Sequence, residues 1–356
     1  MKKALHIFLG LLLAIAMAAG VYVGYVFIDY ERLEDALPLE VLSGSQSGEA
    51  VSTNAPYRIL SYNVGFGAYS DDYSFFMDGG KESRARSPEA VYTNLNGALG
   101  AAQDAEPDFL FIEEVDKDGT RSHHIDESQL ILDAFPQMYT VFAQNYDSPY
   151  LLWPLLEPHG ANVAGQMPLS RFPVASALRR SLPIEDGFMK FLDLDRCYSV
   201  SRVPMDNGKE LVLYCFHLSA DTSDGAIAEE QLKMLFADMD AEAEKGNYAI
   251  AGGDFNKDIL GNSAEVFKTS GEEFTWAQPI PPELIPDGLT IVAPFDAEAP
   301  VASCRNADRP YGPDDYLVTV DGFIVSDNVE VQESKVIDTG FKWSDHNPVY
   351  MDFILK

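Results

Sequence analysis

Cysteine and basic side chains are both scarce in this sequence. Three cysteines among 356 residues are too few for the disulfide framework that stabilises small secreted domains. The 25 lysines and arginines are outnumbered by 56 aspartates and glutamates, which gives a formal net charge of −31 at pH 7. Because so acidic a chain repels polyanions at long range, a general basic surface for nucleic acid is disfavoured. The hydrophobic content of 46% still allows a large globular core.

One long apolar run stands at the N-terminus. Ala4–Ile28 contains no Asp, Glu, Lys or Arg, and as a helix it would be about 37 Å long, enough to cross a bilayer core of about 30 Å. Lys2 and Lys3 precede the run and acidic residues follow it, so the positive-inside rule predicts export of the remainder. Residues 1–28 are therefore interpreted as an uncleaved membrane anchor. The alternative is a cleaved signal peptide with a cleavage site at residues 16–18.

Residues 29–55 are assigned to a linker, because residues 43–54 are small and polar with no apolar period. Residues 56–356 alternate strand-like and helix-like patterns, which predicts an α+β catalytic domain with packed sheets. The predicted strands are Tyr57–Val64, Asp108–Val115, two within Ala161–Ala177, Phe188–Val203, Glu210–His217, Tyr248–Ala251, Leu317–Ser326, Val329–Ile337 and Val349–Leu355, and the predicted helices are Pro88–Ala105 and Asp224–Lys245.

A hairpin is predicted where Asn207–Gly208 separates two strands. It places Cys197 and Cys215 nearly opposite each other, so one interpretation is a disulfide in an exported domain. The favoured alternative is a pair of small buried hydrophobic side chains on core strands.

An acid, an amide or a histidine follows an apolar strand at six places in the chain. A single residue of this kind is usually a turn residue or a solvated group, but six in succession predict a polar cluster where the strands end. The segments are Ser61–Val64, Ile112–Val115, Phe216–Leu218, Gly252–Asn256, Val320–Phe323 and Ser344–Pro348.

The order of these segments resembles the endonuclease/exonuclease/phosphatase superfamily, whose members include pancreatic-type deoxyribonucleases, abasic-site endonucleases, inositol-polyphosphate phosphatases and neutral sphingomyelinases. The resemblance covers about residues 56–356, and its most specific parts are Gly253–Asn256 and Ser344–Val349. It implies a four-layered α/β sandwich of two packed mixed sheets flanked by helices, with the active site at one end of the sheets. It also implies hydrolysis of a phosphoester bond.

The resemblance aligns Glu114 with the family's metal-binding glutamate. Carboxylate oxygens suit a hard divalent ion, so Mg²⁺ is the expected cofactor, with Mn²⁺ as an alternative. Asn63 is expected to position the metal or Glu114, and Asp345 to contribute to the metal site. The family usually has Gln before this glutamate, whereas this chain has Glu113.

The remaining roles also follow from the resemblance. Asp254 is expected to orient and deprotonate the attacking water, and Asn256 to hold a phosphate oxygen. His346 would contact and polarise the phosphate. His217 would stabilise or protonate developing charge, with Asp321 holding its imidazole in one tautomer.

Three basic residues are candidates for substrate binding. Lys81 and Arg84 lie in the loop Ser70–Ser87, and Arg121 follows Glu114 closely. The alternative for the loop is a solvated segment whose basic side chains offset its own acids.

These features together predict an extracytoplasmic, membrane-anchored, Mg²⁺-dependent phosphoesterase with a monomeric catalytic domain. A lipid head group or a small phosphodiester is favoured as substrate over nucleic acid. The alternatives are a secreted or anchored endonuclease and a non-catalytic binding module on the same scaffold. An α/β-hydrolase is disfavoured, because the Gly-x-Ser-x-Gly motif is absent.

Overall fold

A computed structural model describes residues 2–45, 50–184, 194–220, 226–269 and 277–356. The first helix, α1 (Lys2–Asp29), is long and apolar enough to cross a membrane. The other helices are α2 (Pro88–Asp104), α3 (Glu127–Ala134), α4 (Ala226–Glu244) and α5 (Ser263–Phe267).

The strands follow in chain order and fall mainly into two large sheets. They are β1 (Leu37–Leu39), β2 (Val41–Leu42), β3 (Pro56–Asn63), β4 (Phe109–Gly119), β5 (Tyr139–Val141), β6 (Ala143–Asp147), β7 (Asn162–Ser170), β8 (Ser176–Ser181), β9 (Cys197–Pro204), β10 (Glu210–His217), β11 (Tyr248–Asp254), β12 (Leu289–Val292), β13 (Cys304–Arg305), β14 (Leu317–Val318), β15 (Asp321–Ser326), β16 (Val329–Val336) and β17 (Val349–Leu355).

Each large sheet mixes parallel and antiparallel neighbours. The first sheet has the order β16-β17-β3-β4-β7-β5-β2, with β6 also paired to β7. The second has the order β1-β8-β9-β10-β11-β15-β12. The pairs β3–β4 and β10–β11 are parallel, and the other neighbours are antiparallel.

Three buried hydrophobic clusters show how the layers stack. The central cluster joins the two sheets and includes Phe111 from the first and Ile250 from the second. A second cluster packs α2 and α3 on the outer face of the first sheet, and a third packs α4 on the outer face of the second. Strand residues alternate between these clusters because successive side chains point to opposite faces. The predicted four-layered sandwich is therefore confirmed.

The structure corrects several predicted boundaries. Leu37–Leu39 and Val41–Leu42, inside the segment assigned to a linker, are strands that join the second and the first sheet respectively. The single strand predicted over Leu317–Ser326 is interrupted at residues 319–320. The strand predicted from Phe188 is observed from Cys197, and residues 185–193 lie outside the described part of the chain.

The predicted hairpin is confirmed, since β9 and β10 pair antiparallel around Asn207–Gly208. Cys197 and Cys215 are both buried free thiols, as the favoured alternative expected. Gln166 lies beside them, and its Nε2 donates to the backbone carbonyl of Cys215 at 2.6 Å.

Candidate active site

Strand register brings the predicted site residues to one rim of the sandwich. In the second sheet, His217 at the end of β10 is aligned with Asp254 at the end of β11, and Asp254 is aligned with Asp321 at the start of β15. In the first sheet, Asn63 at the end of β3 is aligned with Glu113 in β4. Antiparallel β17 begins opposite Ser61, so the segment just before it lies at the same rim.

Gly253 allows the close approach of two strands just before Asp254. Its φ is +144°, and a Cβ atom added there would lie 1.9 Å from the backbone oxygen of Phe216. A glycine is therefore required where β11 delivers its carboxylate to the rim.

A β-bulge aims Glu114 at the rim. The pairing of β4 with β7 shifts register between Ile112 and Val115, and Glu114 has a φ of +56°. Positive φ is rare outside glycine, and bulges often re-aim a side chain near an active site. The Glu114 Oε1 accepts a hydrogen bond from Asn63 Nδ2 at 3.0 Å. The predicted contact between Asn63 and Glu114 is thus present.

Glu113 points away from the rim, into the space between the sheets. It is fully buried, and its Oε1 accepts a hydrogen bond from Ser61 Oγ at 2.8 Å and lies 3.8 Å from Cys215 Sγ. Burial raises the pKa of Glu113 well above its ordinary value. The raised pKa favours the uncharged acid, which is close in size and shape to the glutamine that is usual at this position in the family that the motifs resemble.

Glu113→Gln should stabilise the fold increasingly as pH rises. The folded chain binds the Glu113 proton up to a higher pH than the unfolded chain, which loses it above about pH 4.3, so the stability of the wild type falls as pH rises from there. Glutamine has no such proton. Melting temperatures measured in EDTA should therefore diverge between about pH 5 and pH 8.

Glu230→Gln is the matched control, because Glu230 is exposed on α4. It should follow the wild type at every pH. A constant difference between Glu113→Gln and the wild type across the pH range would contradict a protonated Glu113.

Asp254 lies between the two histidines at the centre of the cluster. Its Oδ2 is 3.4 Å from His217 Nε2, 3.7 Å from His346 Nε2 and 3.2 Å from Asn63 Nδ2. Its Oδ1 accepts the backbone N–H of Asn256 at 2.8 Å. A carboxylate held between two imidazoles in this way is placed to exchange a proton with a bound water.

The pairing of Asp321 with His217 that the sequence predicted is wrong. Asp321 Oδ2 lies 2.8 Å from His346 Nδ1, whereas His217 Nε2 faces Asp254. The acidic partner of each imidazole depends on how the two sheets face each other. His346 comes from the loop before β17 in the first sheet and meets Asp321 across the gap between the sheets.

The pKa values of the two buried histidines are shifted in opposite directions. Burial and the positive charges of Arg196 and His346 lower the pKa of His217 well below its ordinary value. Burial alone would lower the pKa of His346, but the Asp321 carboxylate raises it well above its ordinary value. Burial also raises the pKa of Asp254 to about 7. These shifts favour the neutral form of His217 and the charged form of His346, and they let Asp254 hold or release a proton near neutral pH.

Cys304 completes an apparent Cys-His-Asp arrangement. Its Sγ is 3.6 Å from His346 Nε2, and His346 Nδ1 faces Asp321. A catalytic cysteine needs a lowered pKa and access to substrate. Burial raises the pKa of the Cys304 thiol to about 12, so the thiol lacks the lowered pKa that a catalytic cysteine needs.

One cluster of three possible cation ligands lies among the described residues. The ligand atoms of Asp254, Asp321 and His346 all lie within 4.8 Å of one another, although two of them already form a hydrogen bond. Asn63, Glu114 and Asp345 form the predicted set. Burial and the nearby charge of Glu114 raise the pKa of Asp345, a repulsion that a divalent cation would relieve. Carboxylate and amide oxygens are the donors that Mg²⁺ and Mn²⁺ accept, so the predicted set fits such an ion.

Asn256 is half-buried beside Asp254, as predicted, but its side chain is already engaged. Its Nδ2 donates to the backbone carbonyl of Leu218 at 2.8 Å. To hold a phosphate oxygen, the Nδ2 group would have to exchange this partner.

The three basic candidates differ in their surroundings. Arg121 is buried, with Nη2 2.7 Å from Asp116 Oδ1 and its guanidinium 4.0 Å from the centre of the Phe66 ring. Arg84 donates from Nη2 to the backbone carbonyl of Pro158 at 2.8 Å. Lys81 is exposed. Two of the three are therefore committed to interactions within the fold, and binding of substrate by any of them stays a prediction.

Arg196 is a rim residue that the sequence analysis did not single out. It is buried, and its Nη1 lies 3.4 Å from the backbone carbonyl of His217. It precedes β9, and β9 brings it beside the end of β10. No sequence motif marks it, since only the pairing of these two strands makes it a neighbour of the site.

No protein-family model and no curated protein matches the sequence. Solved structures do match. An endonuclease/exonuclease/phosphatase from Beutenbergia cavernae is 19% identical over 84% of this chain and 72% of its own, with a TM-score of 0.56. ANGEL2, a 2′,3′-cyclic phosphatase, is 16% identical over 89% of this chain and 98% of its own, with a TM-score of 0.55. The catalytic domain of human Nocturnin, with bound sulfate, is 15% identical over 89% and 97%, with a TM-score of 0.53.

At these identities the similarity is one of fold. The chain has the endonuclease/exonuclease/phosphatase fold, as the order of its motifs predicted.

Proposed function

On the basis of this fold and this rim, we propose that the chain is a divalent-metal-dependent hydrolase of phosphoester bonds, with Mg²⁺ as the ion. The observation that carries the proposal is Asp254, whose carboxylate lies between the imidazoles of two buried histidines and beside Asn63, which donates to Glu114. Phosphoester hydrolysis requires a positioned water together with positive charge around the phosphate, and this rim supplies both.

Each side chain has a distinct part in the proposed reaction. Asp254 holds the attacking water and accepts its proton. The His346 imidazolium, fixed by Asp321, donates a hydrogen bond to a phosphate oxygen where negative charge accumulates. Neutral His217 faces the same carboxylate and stabilises charge through its N–H group. Glu114, Asn63 and Asp345 would hold the metal, which supplies charge neutralisation when bound.

A panel of phosphodiester and phosphomonoester substrates, with and without EDTA, tests the proposal. We expect hydrolysis of at least one class and its loss in EDTA. Absence of hydrolysis across the panel in Mg²⁺ and in Mn²⁺ would favour the non-catalytic binding module.

Glu114→Gln should lower metal affinity and turnover together, by at least about tenfold, because it removes a ligand charge while keeping the size of the side chain. Calorimetric titration with Mg²⁺ and kinetics on the same preparations measure both quantities. Glu230→Gln carries the same charge change at an exposed position on α4 and should match the wild type. Unchanged Mg²⁺ affinity in a folded Glu114→Gln variant would remove Glu114 from the metal site.

The proposed location is extracytoplasmic, with α1 retained as the anchor. The support is the apolar helix Lys2–Asp29 and the position of Lys2 and Lys3 before its apolar run. Protease added to intact cells should remove the domain and leave a small fragment in the membrane. Recovery of the full-length chain in the soluble fraction would contradict an anchor, and protection of the domain until the cells are lysed would contradict its orientation.

Among substrates, a lipid head group or a small phosphodiester is proposed over a nucleic acid. A net charge of −31 opposes the approach of a polyanion, and a membrane anchor places the domain near lipid. An endonuclease is the second candidate, since the fold is shared with nucleases and salt screens surface repulsion.

A further inference from the structure

A cluster of exposed apolar side chains lies in the loop between β6 and β7. Pro149–Leu156 contains no charged residue, and most of its large side chains face solvent. Trp153 is 65% exposed, Leu155 71% and Leu156 fully exposed. Isolated exposed hydrophobic residues are common, but a contiguous run of this kind marks a surface that meets a partner or a membrane. We call Pro149–Leu156 the apolar loop.

The apolar loop lies at the same rim as the candidate site. It precedes β7, whose first residue, Asn162, is aligned with Gly119 at the end of β4. Strand β3 ends opposite Glu113, and β4 continues past that end through Glu114 to Gly119, so the loop lies at the same end of the sandwich as Glu114. The segment that follows the loop is held by the loop Ser70–Ser87, since Arg84 Nη2 donates to the backbone carbonyl of Pro158 and His159 Nδ1 lies 2.6 Å from that of Ser83.

The same loop is hydrogen-bonded to the candidate membrane helix. Tyr22 Oη donates to the backbone carbonyl of Tyr150 at 3.0 Å, and the backbone N–H of Tyr150 donates to Tyr25 Oη at 2.9 Å. The backbone N–H of Leu152 also approaches Tyr22 Oη, at 3.4 Å. The apolar loop therefore lies against the last turns of α1 and not at a distance from it.

The depth of these contacts along α1 indicates what covers the loop. Tyr22 is seven residues before Asp29, which is about 10 Å along a helix axis. If Asp29 marks the water boundary, Tyr22 and the loop lie at the level of the head groups and the first part of the acyl chains, where tyrosine and tryptophan concentrate. The apolar side chains of the loop are then at the depth where lipid can bury them.

We propose that the apolar loop inserts into the outer surface of the membrane that α1 spans and turns the rim of the domain toward that surface. The occupant is lipid and not a second protein. Because Pro149–Leu156 carries no charge, the insertion depends on apolar area and not on anionic lipid. The insertion implies a substrate, which is the phosphoester of a membrane lipid head group presented at the rim without leaving the bilayer. In this one respect the inference rests on the proposed function.

The position of the loop can be measured without any enzymatic assay. The full-length chain carrying Leu155→Cys is labelled with an environment-sensitive fluorophore and reconstituted into phosphatidylcholine vesicles that contain lipids with a bromine or nitroxide quencher. The native cysteines are buried, so labelling is selective. Asn207→Cys is the control. Asn207 lies in the exposed turn between β9 and β10, whereas His217 is at the other end of β10.

We expect lipid quenching at residue 155 and none at residue 207, unchanged by salt. No quenching at residue 155 would overturn the proposal. Energy transfer between labelled copies without lipid quenching would show that a second copy of the chain covers the loop. That result would also overturn the proposal.

An enzymatic arm tests the consequence for substrate. Leu155→Asp with Leu156→Asp keeps α1 and leaves the proposed catalytic residues untouched. Turnover of a phosphoester embedded in phosphatidylcholine vesicles should fall at least about tenfold, while turnover of a soluble phosphoester stays within about twofold. Equal turnover of the embedded substrate by variant and wild type would overturn the substrate assignment. Quenching at residue 155 with no hydrolysis of either substrate would instead count against the proposed function and leave the membrane contact in place.

Discussion

Asp254→Asn should reduce turnover by about 10²–10⁴ while the protein stays folded, because the substitution removes a general base and keeps the size of the side chain. The amide can still receive the backbone N–H of Asn256 through its oxygen, so the turn after β11 is preserved. It cannot accept a proton from water. Steady-state kinetics in saturating Mg²⁺, together with a thermal melt, separates lost chemistry from lost structure.

Asp206→Asn is the matched control for Asp254→Asn. Asp206 is exposed in the turn between β9 and β10, whereas His217 is at the other end of β10. Asp206→Asn removes one negative charge, as Asp254→Asn does. It should leave turnover within about twofold, as surface substitutions usually do. A folded Asp254→Asn protein with wild-type turnover would remove Asp254 from the reaction.

His346→Ala should also lose about 10²–10⁴ in turnover, because it removes the charged imidazole that faces Asp254. Asp321→Asn should lose less, since Asp321 acts through His346 as a positioning residue. In the double variant the losses should not add, and turnover should match that of His346→Ala alone. Multiplication of the two single losses would show that Asp321 acts independently of His346.

Asp321→Asn has a second readout that a general loss of stability would not produce. The Asp321 carboxylate raises the pKa of His346, so its neutralisation should lower that pKa. The imidazole resonance of His346, identified by its absence in His346→Ala, can be titrated by NMR in EDTA. An unchanged pKa of His346 in Asp321→Asn would contradict the hydrogen-bonded pair.

Local sequence was sufficient to place Asn63, Glu114, His217 and Asp254 at a common rim. Asn63, His217 and Asp254 each end an apolar strand, and Glu114 lies where β4 passes the end of β3. The carboxyl ends of parallel neighbours lie at the same edge of a sheet. The register of β10 with β11 then aligns two of them directly. The prediction for these residues needed only strand boundaries that were correct to a few positions.

The histidine that pairs with Asp321 could not be predicted from strand boundaries. His217 and His346 both belong to the rim, and the choice between them depends on the distance between two sheets, which sequence periodicity does not contain. The burial of Arg121 against Asp116 could not be predicted for the same reason. Its pairing with Asp116 follows from the turn after β4, whereas the sequence showed only that it lies close to Glu114 along the chain.

Glu113 illustrates a different limit. Two adjacent glutamates would normally point to opposite faces of a strand, but the bulge in β4 sets the direction of Glu114. Sequence analysis left open whether Glu113 adds charge to the rim or lies in the core. Its contacts with Ser61 and Cys215 show that Glu113 lies in the core.

The position of β17 has a consequence for when activity can begin during synthesis. This strand lies between β16 and β3, so it joins the earliest long strand of the domain to one of the latest. Until β17 has emerged, β3 lacks one neighbour, and the segment that carries Asp345 and His346 has no fixed place. Pairings so distant in sequence form late in folding. In the proposed topology and function, a nascent chain tethered by α1 would therefore be inactive until β17 had joined the first sheet.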